Sequence, residues 1–310
     1  MHAQHQDHAS TRNTTRPAGR TSGDQRADDI DPFFVFDYVP IDGPDDTPRD
    51  GRGTQEAPQD QRFTTYWDVE RGCRGPDPLP DWVITDAGAI DSELGVLKTG
   101  KEADVFLLER AAPDGTRVVM AAKRYRSTEH RTFHRSADYT QGRRVRRSRD
   151  QRALSRGSAY GRAVAAAQWA VAEWDALCRY WSADLPVPYP VQIDGTEILM
   201  ELIEHDGTPA PRLAQVRPDP DLLEEYFLQL RTAISVMAAE GVTHGDLSAY
   251  NILAAGERLV IIDLPQVIDL VANPNGPDFL MRDCRNICSW FRSRGLDVDP
   301  RVLFEEVAPA

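Results

Sequence analysis

The stretch from His244 to Gln266, HGDLSAYNILAAGERLVIIDLPQ, restricts the fold of this chain more than any other. Asn251 follows Asp246 by five residues, and the apolar run 260–262 ends at Asp263. A short β-branched run between polar residues is typical of a buried strand that carries the next residue at its end. Such a loop and strand can offer two oxygen ligands to magnesium and one carboxylate to an acceptor hydroxyl. The pattern predicts Mg-ATP phosphoryl transfer, with Asp246 catalytic and Asn251 and Asp263 as metal ligands.

A lysine that anchors the nucleotide should lie upstream of this site. The chain has only three lysines against 33 arginines, so a lysine indicates a position where a compact ammonium is needed. Lys123 ends the run 118–123, whose composition and preceding turn are typical of a strand. Lys123 is therefore the candidate ligand of the α- and β-phosphates.

A second candidate for phosphate contact is the turn Thr99-Gly100-Lys101. It precedes the apolar segment 105–108, which is interpreted as a strand. A turn between two strands can cover the phosphates, although a single glycine is also typical of an ordinary hairpin.

A helix is predicted over 163–180, which is rich in alanine and has apolar residues at three- and four-residue intervals. A phosphate-binding lysine needs a carboxylate that fixes its position, commonly from a neighbouring helix. The helix contains two acidic residues, Glu173 and Asp175. Glu173 is the predicted partner of Lys123.

Several motifs together resemble the RIO-type atypical protein kinases. The matching segments, which extend from about Trp82 to the last residue, read TGKEADVF, WAVAEWDAL, ILMELIEHDGTPAPRL, HGDLSAYNIL, IIDLPQ and FLMRDCRNICSWF. The resemblance implies an α+β, two-lobed protein-kinase-like fold with an antiparallel N-terminal sheet plus a helix, a mainly helical C-terminal lobe and no full activation segment. It implies a serine/threonine protein kinase or ATPase that uses ATP and Mg²⁺, with Mn²⁺ as an alternative. It further implies that Met200, Glu201 and Ile203 belong to the adenine-binding hinge.

The chain departs from ordinary protein kinases around its metal-binding aspartate. Gly245 replaces the arginine that would pair with a phosphorylated activation loop, and Leu264-Pro265 replaces Phe-Gly. We therefore expect no control by activation-loop phosphorylation and a reduced peptide-docking platform. In the RIO family these features accompany ATP hydrolysis and a candidate phospho-aspartate, which here would be Asp263.

Two further helices are expected in the C-terminal lobe. One begins at Asp219 and ends before Gly241, and its apolar face should pack under the catalytic loop. The other extends from about residue 278 to 294. The resemblance implies that Asp283 braces the catalytic loop from a helix start, a place that suits the N-cap chemistry of aspartate.

Composition divides the chain into three parts. Residues 1–62 form an acidic segment with few apolar residues, which predicts disorder because little surface can be buried. Residues 63–203 are interpreted as an N-terminal extension and the N-terminal lobe, and residues 204–310 as the C-terminal lobe.

An arginine-rich insertion is predicted within the N-terminal lobe. Residues 123–162 contain 13 Lys or Arg residues and three acids, although the whole chain has a net charge of −13. Such an insertion is expected to be mobile. Its densest part, residues 143–152, can bind RNA or the ribosome through phosphate contacts, or can remain a solvated loop.

The four cysteines form no Cys-x-x-Cys pair, and there is no signal peptide or apolar run of membrane-spanning length. These features predict a cytoplasmic protein without membrane contact. An unknown protein substrate is the expected acceptor. Two alternatives stay open: a small-molecule kinase resembling the aminoglycoside and choline phosphotransferases, which share the HGDL motif, and a nucleotide-gated assembly factor with little kinase activity.

Overall fold

The computed structural model describes residues 61–126, 159–264 and 267–308, with residues 159–164 described by their backbone alone. The predicted disorder of the tail and mobility of the arginine-rich insertion therefore fall almost entirely outside the described residues. Gln61 and Arg62, the last two residues of the predicted tail, belong to a strand, so the predicted disorder does not hold for these two residues.

A six-stranded antiparallel sheet forms the N-terminal lobe, in the order β1-β2-β3-β4-β6-β5. Its strands are β1 (Gln61–Phe63), β2 (Ile90–Thr99), β3 (Ala103–Ala111), β4 (Arg117–Tyr125), β5 (Pro190–Asp194) and β6 (Glu197–Glu201). The predicted strands 105–108 and 118–123 are confirmed within β3 and β4. Lys123 lies on an inner strand, paired with Val105 of β3 and Ile198 of β6.

The predicted helix over 163–180 is confirmed as α1 (Ala159–Ser182), which packs against β4, β5 and β6. Ala166, Ala170, Trp174 and Leu177 are buried along one side of the helix. Their spacing of three and four residues places them on a single stripe. The small alanines in this stripe let the helix approach the sheet closely, which is how Glu173 reaches a residue in β4.

The opposite face of the sheet is covered by the segment that follows β1. Its residues Tyr66 and Val83 pack with Leu108, Met120 and Tyr189 in a separate apolar cluster. The cover on this face helps to bury residues of β4 and β6, since Met120, Ala122 and Leu199 are at most 1% exposed.

In its described residues, the C-terminal lobe contains three α-helices and three short antiparallel strand pairs, two of which are hairpins. The helices are α2 (Pro220–Ala239), α3 (Gly276–Ser293) and α4 (Pro300–Val307). The strands are β7 (Glu204–His205), β8 (Thr208–Pro209), β9 (Val242–Thr243), β10 (Ile252–Ala255), β11 (Arg258–Ile261) and β12 (Ile268–Asp269). The first two helices confirm the predictions, whereas α4 was not predicted.

The start of α2 follows from its capping residue, because the Asp219 side chain accepts a hydrogen bond from Leu222 N at 2.9 Å. Gly241 ends the helix with φ of +75°, a conformation that glycine adopts readily. As predicted, α2 packs beside the catalytic region, where it contacts β9 and β11.

The segment between Asp263 and α3 is short. After it, β12 pairs with β9, the strand just before the catalytic loop, and a tight turn at 270–275 leads directly into the helix. Leu264 is buried in the core. This arrangement confirms that the fold has no full activation segment. Within the described ranges, no helix combines the length and apolar character needed to cross a membrane.

Candidate active site

A hairpin brings the two predicted metal ligands together. Strands β10 and β11 pair with Ile252 opposite Ile261, and Ile262 N donates to Asn251 O at 3.0 Å. This register places Asn251 just before the first strand and Asp263 just after the second, at the same end of the hairpin. Residues 12 positions apart in the sequence therefore lie side by side.

The catalytic loop is held by hydrogen bonds from its own residues. Asn251 Nδ2 donates to Asp246 O at 2.9 Å, so this hydrogen bond does not use the amide oxygen of Asn251. His244 is buried, with Nε2 3.1 Å from Ile262 O and Nδ1 3.3 Å from Asp246 N. These contacts fit a neutral imidazole that donates from Nε2 and accepts at Nδ1. His244 thus connects the loop that carries Asp246 to the strand that precedes Asp263.

Asp283, in helix α3, supports the same loop through hydrogen bonds. Its fully buried carboxylate accepts hydrogen bonds from Thr243 Oγ1 at 2.7 Å, Gly245 N at 2.8 Å and Leu247 N at 2.9 Å. Asn286, one turn further along, donates to Leu247 O at 3.1 Å. The predicted N-cap position of Asp283 is wrong, because the residue lies in the interior of α3. The side chain reaches the loop because that face of the helix packs beneath it.

Lys123 lies between two carboxylates. Its Nζ is 2.6 Å from Glu173 Oε1 and 2.9 Å from Asp263 Oδ1. Glu173 is buried with 2% of its side chain exposed, whereas Asp263 is 48% exposed. Glu173 Oε1 also accepts a hydrogen bond from Leu264 N at 3.3 Å. The ammonium therefore joins α1, β4 and the end of the catalytic hairpin.

Lys123 and Asp263 shift the pKa values of each other. The Lys123 ammonium holds the pKa of the Asp263 carboxyl below its ordinary value, although burial acts in the opposite direction. Burial also disfavours the charged form of Lys123, but Asp263 and Glu173 outweigh it and raise the pKa of Lys123 well above the ordinary value. Both side chains are therefore ionised at neutral pH, as phosphate and metal binding require.

The predicted phosphate-covering loop is a tight turn between β2 and β3. Gly100 N donates to Ala103 O at 3.0 Å, and a Cβ atom at Gly100 would lie only 2.6 Å from that same oxygen. Glycine is therefore needed here by close approach of the backbone. Thr99 and Lys101, on either side of Gly100, are exposed.

Glu102, which sequence reasoning did not single out, belongs to the same turn and faces the cleft. Partial desolvation, followed by the negative charge of Asp263, raises the pKa of the Glu102 carboxyl.

The raised pKa of Glu102 predicts a pH-dependent effect on stability. The folded protein binds the Glu102 proton more tightly than the unfolded chain does, so the contribution of Glu102 to the free energy of unfolding declines as the pH rises through the range in which carboxyl groups ionise. We expect Glu102→Gln to melt at a higher temperature than the parent protein at pH 7.5 and at the same temperature near pH 4. Thermal denaturation at both pH values measures this difference, and an equal effect at both would contradict it.

Of the predicted hinge residues, Met200 and Glu201 are the last two residues of β6, and Ile203 lies two residues beyond the strand. Met200 and Ile203 are buried, and Ile203 O accepts a hydrogen bond from Ala210 N at 2.8 Å. The Glu201 carboxylate accepts from Tyr189 N at 3.1 Å, so this side chain supports the backbone.

A magnesium ion fits the donor atoms of the site. Mg²⁺ prefers oxygen ligands and is commonly held by one or two protein groups together with substrate phosphates. Asn251 and Asp263 offer such oxygens at one edge of the cleft, and Asp263 is half-exposed. The described part of the chain has no cluster of three His, Cys, Asp or Glu side chains that could hold a metal alone. Two protein oxygens at an open cleft suit a metal that substrate phosphates also hold.

Sequence reasoning missed two residues besides Glu102. The Tyr125 hydroxyl donates to Glu173 Oε2, and the Arg212 guanidinium donates to the main-chain oxygen of Tyr250, next to Asn251. A signal for Tyr125 existed, since residues two apart on a strand face the same side and Tyr125 follows Lys123 by two positions. No local pattern marks Arg212, because its contact depends on tertiary packing.

Comparisons with known proteins identify the family of this chain. The model of the RIO domain family matches residues 109–303, well over half of the chain. A RIO-type serine/threonine-protein kinase Rio1 from Haloferax volcanii is 34% identical over 229 residues, which cover 72% of this chain and 71% of the relative. Serine/threonine-protein kinase RIO3 of Mus musculus is 28% identical over 235 residues, and the match covers 73% of this chain but only 44% of that longer protein.

Among solved structures, the Rio2 kinase from Chaetomium thermophilum matches with a TM-score of 0.47 and 23% identity, over 70% of this chain and 64% of that chain. The assignment to a family depends on the sequence matches, and the family model spans the loop 244–251, the hairpin that ends at Asp263 and helix α3. The chain belongs to the RIO domain family.

Proposed function

We propose that the chain is an ATP-dependent serine/threonine protein kinase of the RIO type, with Mg-ATP as phosphoryl donor. The observation that carries this proposal is the convergence of Lys123, Glu173 and Asp263 within hydrogen-bond distance, beside the loop that bears Asp246 and Asn251. These groups are the parts that phosphoryl transfer requires. Membership of the RIO family supports the same activity.

Each side chain has a role that its position suits. Lys123, fixed by Glu173, would neutralise the phosphate oxygens of ATP, and the turn at Gly100 would lie over them. Asp246, which is exposed to the cleft, would accept the proton of the attacking hydroxyl as it bonds to the γ-phosphorus, and ADP would leave. Asn251 and Asp263 would hold Mg²⁺, whose charge stabilises the phosphate oxygens when it is bound. His244 and Asp283 keep the loop in this geometry.

The alternatives differ in where the phosphoryl group goes. A small-molecule phosphotransferase is less well supported, because the family match extends from β3 to α4 and includes segments outside the shared HGDL motif. An ATPase cycle through Asp263 would use the same residues, with the carboxylate as acceptor. RNA or ribosome contact through the arginine-rich insertion stays a prediction, as does a cytoplasmic location.

The experiment that tests the proposal follows the γ-phosphate of labelled ATP. The full chain is incubated with Mg-ATP and a general protein acceptor, and the label is measured as acid-stable protein phosphate, acid-labile protein phosphate and free phosphate. We expect acid-stable label on serine or threonine. In Asp246→Asn the rate should fall by at least about 100-fold, the usual contribution of a general base.

The distribution of label distinguishes the alternatives. Acid-labile label that hydroxylamine removes, and that appears before free phosphate, would indicate an aspartyl-phosphate ATPase cycle instead. Phosphorylation of an aminoglycoside or choline in place of protein would favour the small-molecule reaction. Absence of ATP binding and turnover in the parent protein would overturn the proposal.

A further inference from the structure

Tyr125 lies beside the Lys123–Glu173 ion pair. It is the last residue of β4, 6% exposed, and its hydroxyl donates to Glu173 Oε2. Its ring lies 5.3 Å from Lys123 Nζ, a distance suited to a cation–π contact. Tyr125 therefore touches both members of the lysine–glutamate pair.

The two oxygens of the Glu173 carboxylate have different hydrogen-bond partners. Oε1 is shared between Lys123 Nζ at 2.6 Å and Leu264 N at 3.3 Å, and Oε2 is occupied by the tyrosine hydroxyl. A carboxylate that is held at one oxygen cannot rotate freely, so the other oxygen stays directed at its two donors. Leu264 directly follows Asp263, so the same carboxylate orients both the phosphate anchor and the metal-binding segment.

We infer that Tyr125 is a positioning residue for phosphoryl transfer, which acts by holding Glu173 so that Lys123 and Asp263 keep their productive places. This inference rests on the proposed function. Burial, followed by the negative charge of Glu173, raises the pKa of the Tyr125 hydroxyl well above its ordinary value, so that it remains a donor at all physiological pH values.

A purely structural role makes a different prediction. Tyr125 belongs to the main apolar core, and its ring packs with residues of α1. If only the ring mattered, Tyr125→Phe would behave like the parent protein, because phenylalanine preserves the ring and its packing. If the hydroxyl hydrogen bond contributed to folding alone, the stability and the activity of Tyr125→Phe would fall together.

The test is a double-mutant cycle of Tyr125→Phe and Glu173→Gln, with kcat, KM for ATP and Tm measured for each protein. We expect Tyr125→Phe to lower kcat about tenfold, with KM for ATP changed by less than about threefold, since an orientation effect is expressed in the transition state. Glu173→Gln should lower kcat about 100-fold, and the double variant should fall no further, because residues that act through one another are not additive.

Tyr189→Phe is the matched control. Its buried hydroxyl donates to Pro76 O at 3.0 Å, away from the ion pair, so kcat should be unchanged. The inference is overturned if Tyr125→Phe has the kcat of the parent protein, if its loss multiplies fully with that of Glu173→Gln, or if its activity falls only in proportion to unfolded protein. A parent protein without ATP turnover would instead contradict the proposed function, so the two failures are distinguishable.

Discussion

Asp263→Asn is expected to reduce Mg-dependent phosphoryl transfer about 10³-fold, the rate equivalent of losing several kcal/mol of charge stabilisation from a misplaced metal. Asparagine keeps the shape of the side chain and tolerates the positive φ of +68° at this position. It removes the charge that attracts Lys123 and that would attract Mg²⁺. Turnover measured over a range of Mg²⁺ concentrations should therefore show a lower maximum and a higher metal requirement.

Asp206→Asn is a suitable control, because Asp206 also has a positive φ, of +52°, and is 90% exposed in the hairpin after the hinge. It should retain full activity. A variant at Asp263 with the parental rate and metal requirement would show that the metal lies elsewhere.

Since Lys123 lowers the pKa of Asp263, the carboxylate remains charged from about pH 5 upward. Protonation of Asp263 should therefore not limit the parental activity between pH 5 and 9.

Asp283→Ala should give the largest loss of stability of any single change in the catalytic region. It removes a fully buried carboxylate that accepts hydrogen bonds from Thr243, Gly245 and Leu247. A buried donor left unpaired costs about 1–3 kcal/mol, so two main-chain donors and a hydroxyl together imply a loss of roughly 3 kcal/mol or more. For a chain of this length, Tm should fall by roughly 6–12 °C. Urea unfolding followed by tryptophan fluorescence measures the free energy directly.

Asp278→Ala provides the comparison within the same helix, because Asp278 is exposed in the first turn of α3. Its loss removes only a favourable contact with the helix dipole, which is worth about 0.3–1 kcal/mol. Equal unfolding midpoints for the two variants would contradict the bracing role of Asp283. A folded Asp283→Ala protein should also turn over slowly, because the loop that carries Asp246 loses its support.

Much of the site could be predicted because its residues lie in local patterns. The apolar run before Asp263 indicates a strand by composition alone, and the alanine-rich helix restricts the choice of a lysine partner to two acids. Because the chain has only three lysines, few residues compete with Lys123 as the predicted phosphate ligand. In each case the chemistry depends on residue type and short spacing, which a sequence contains directly.

The remaining features depend on contacts between distant segments. Asp283 was assigned the right contact but the wrong place in its helix, because helix boundaries are set by packing and by the tight turn before Gly276. Helix α4 was missed, although Asp299 caps it, because eight residues contain too little periodicity to reveal a short helix. Arg212 was missed because a guanidinium has no signature until its partner is known. The two-residue spacing of Tyr125 from Lys123 places it on the same face of the strand but does not reveal its hydroxyl contact with Glu173.

The sequence by itself determined the chemistry of this protein. Asp246, Asn251, Asp263 and Lys123 are oxygen and nitrogen groups whose order along the chain already indicates phosphoryl transfer. Only the tertiary structure decided how they are held, since the register of β10 and β11 sets Asn251 beside Asp263 and the packing of α1 delivers Glu173 to Lys123. The physical reason is that a reaction type depends on which groups are present, whereas their positions depend on burial and hydrogen bonding among segments far apart in sequence.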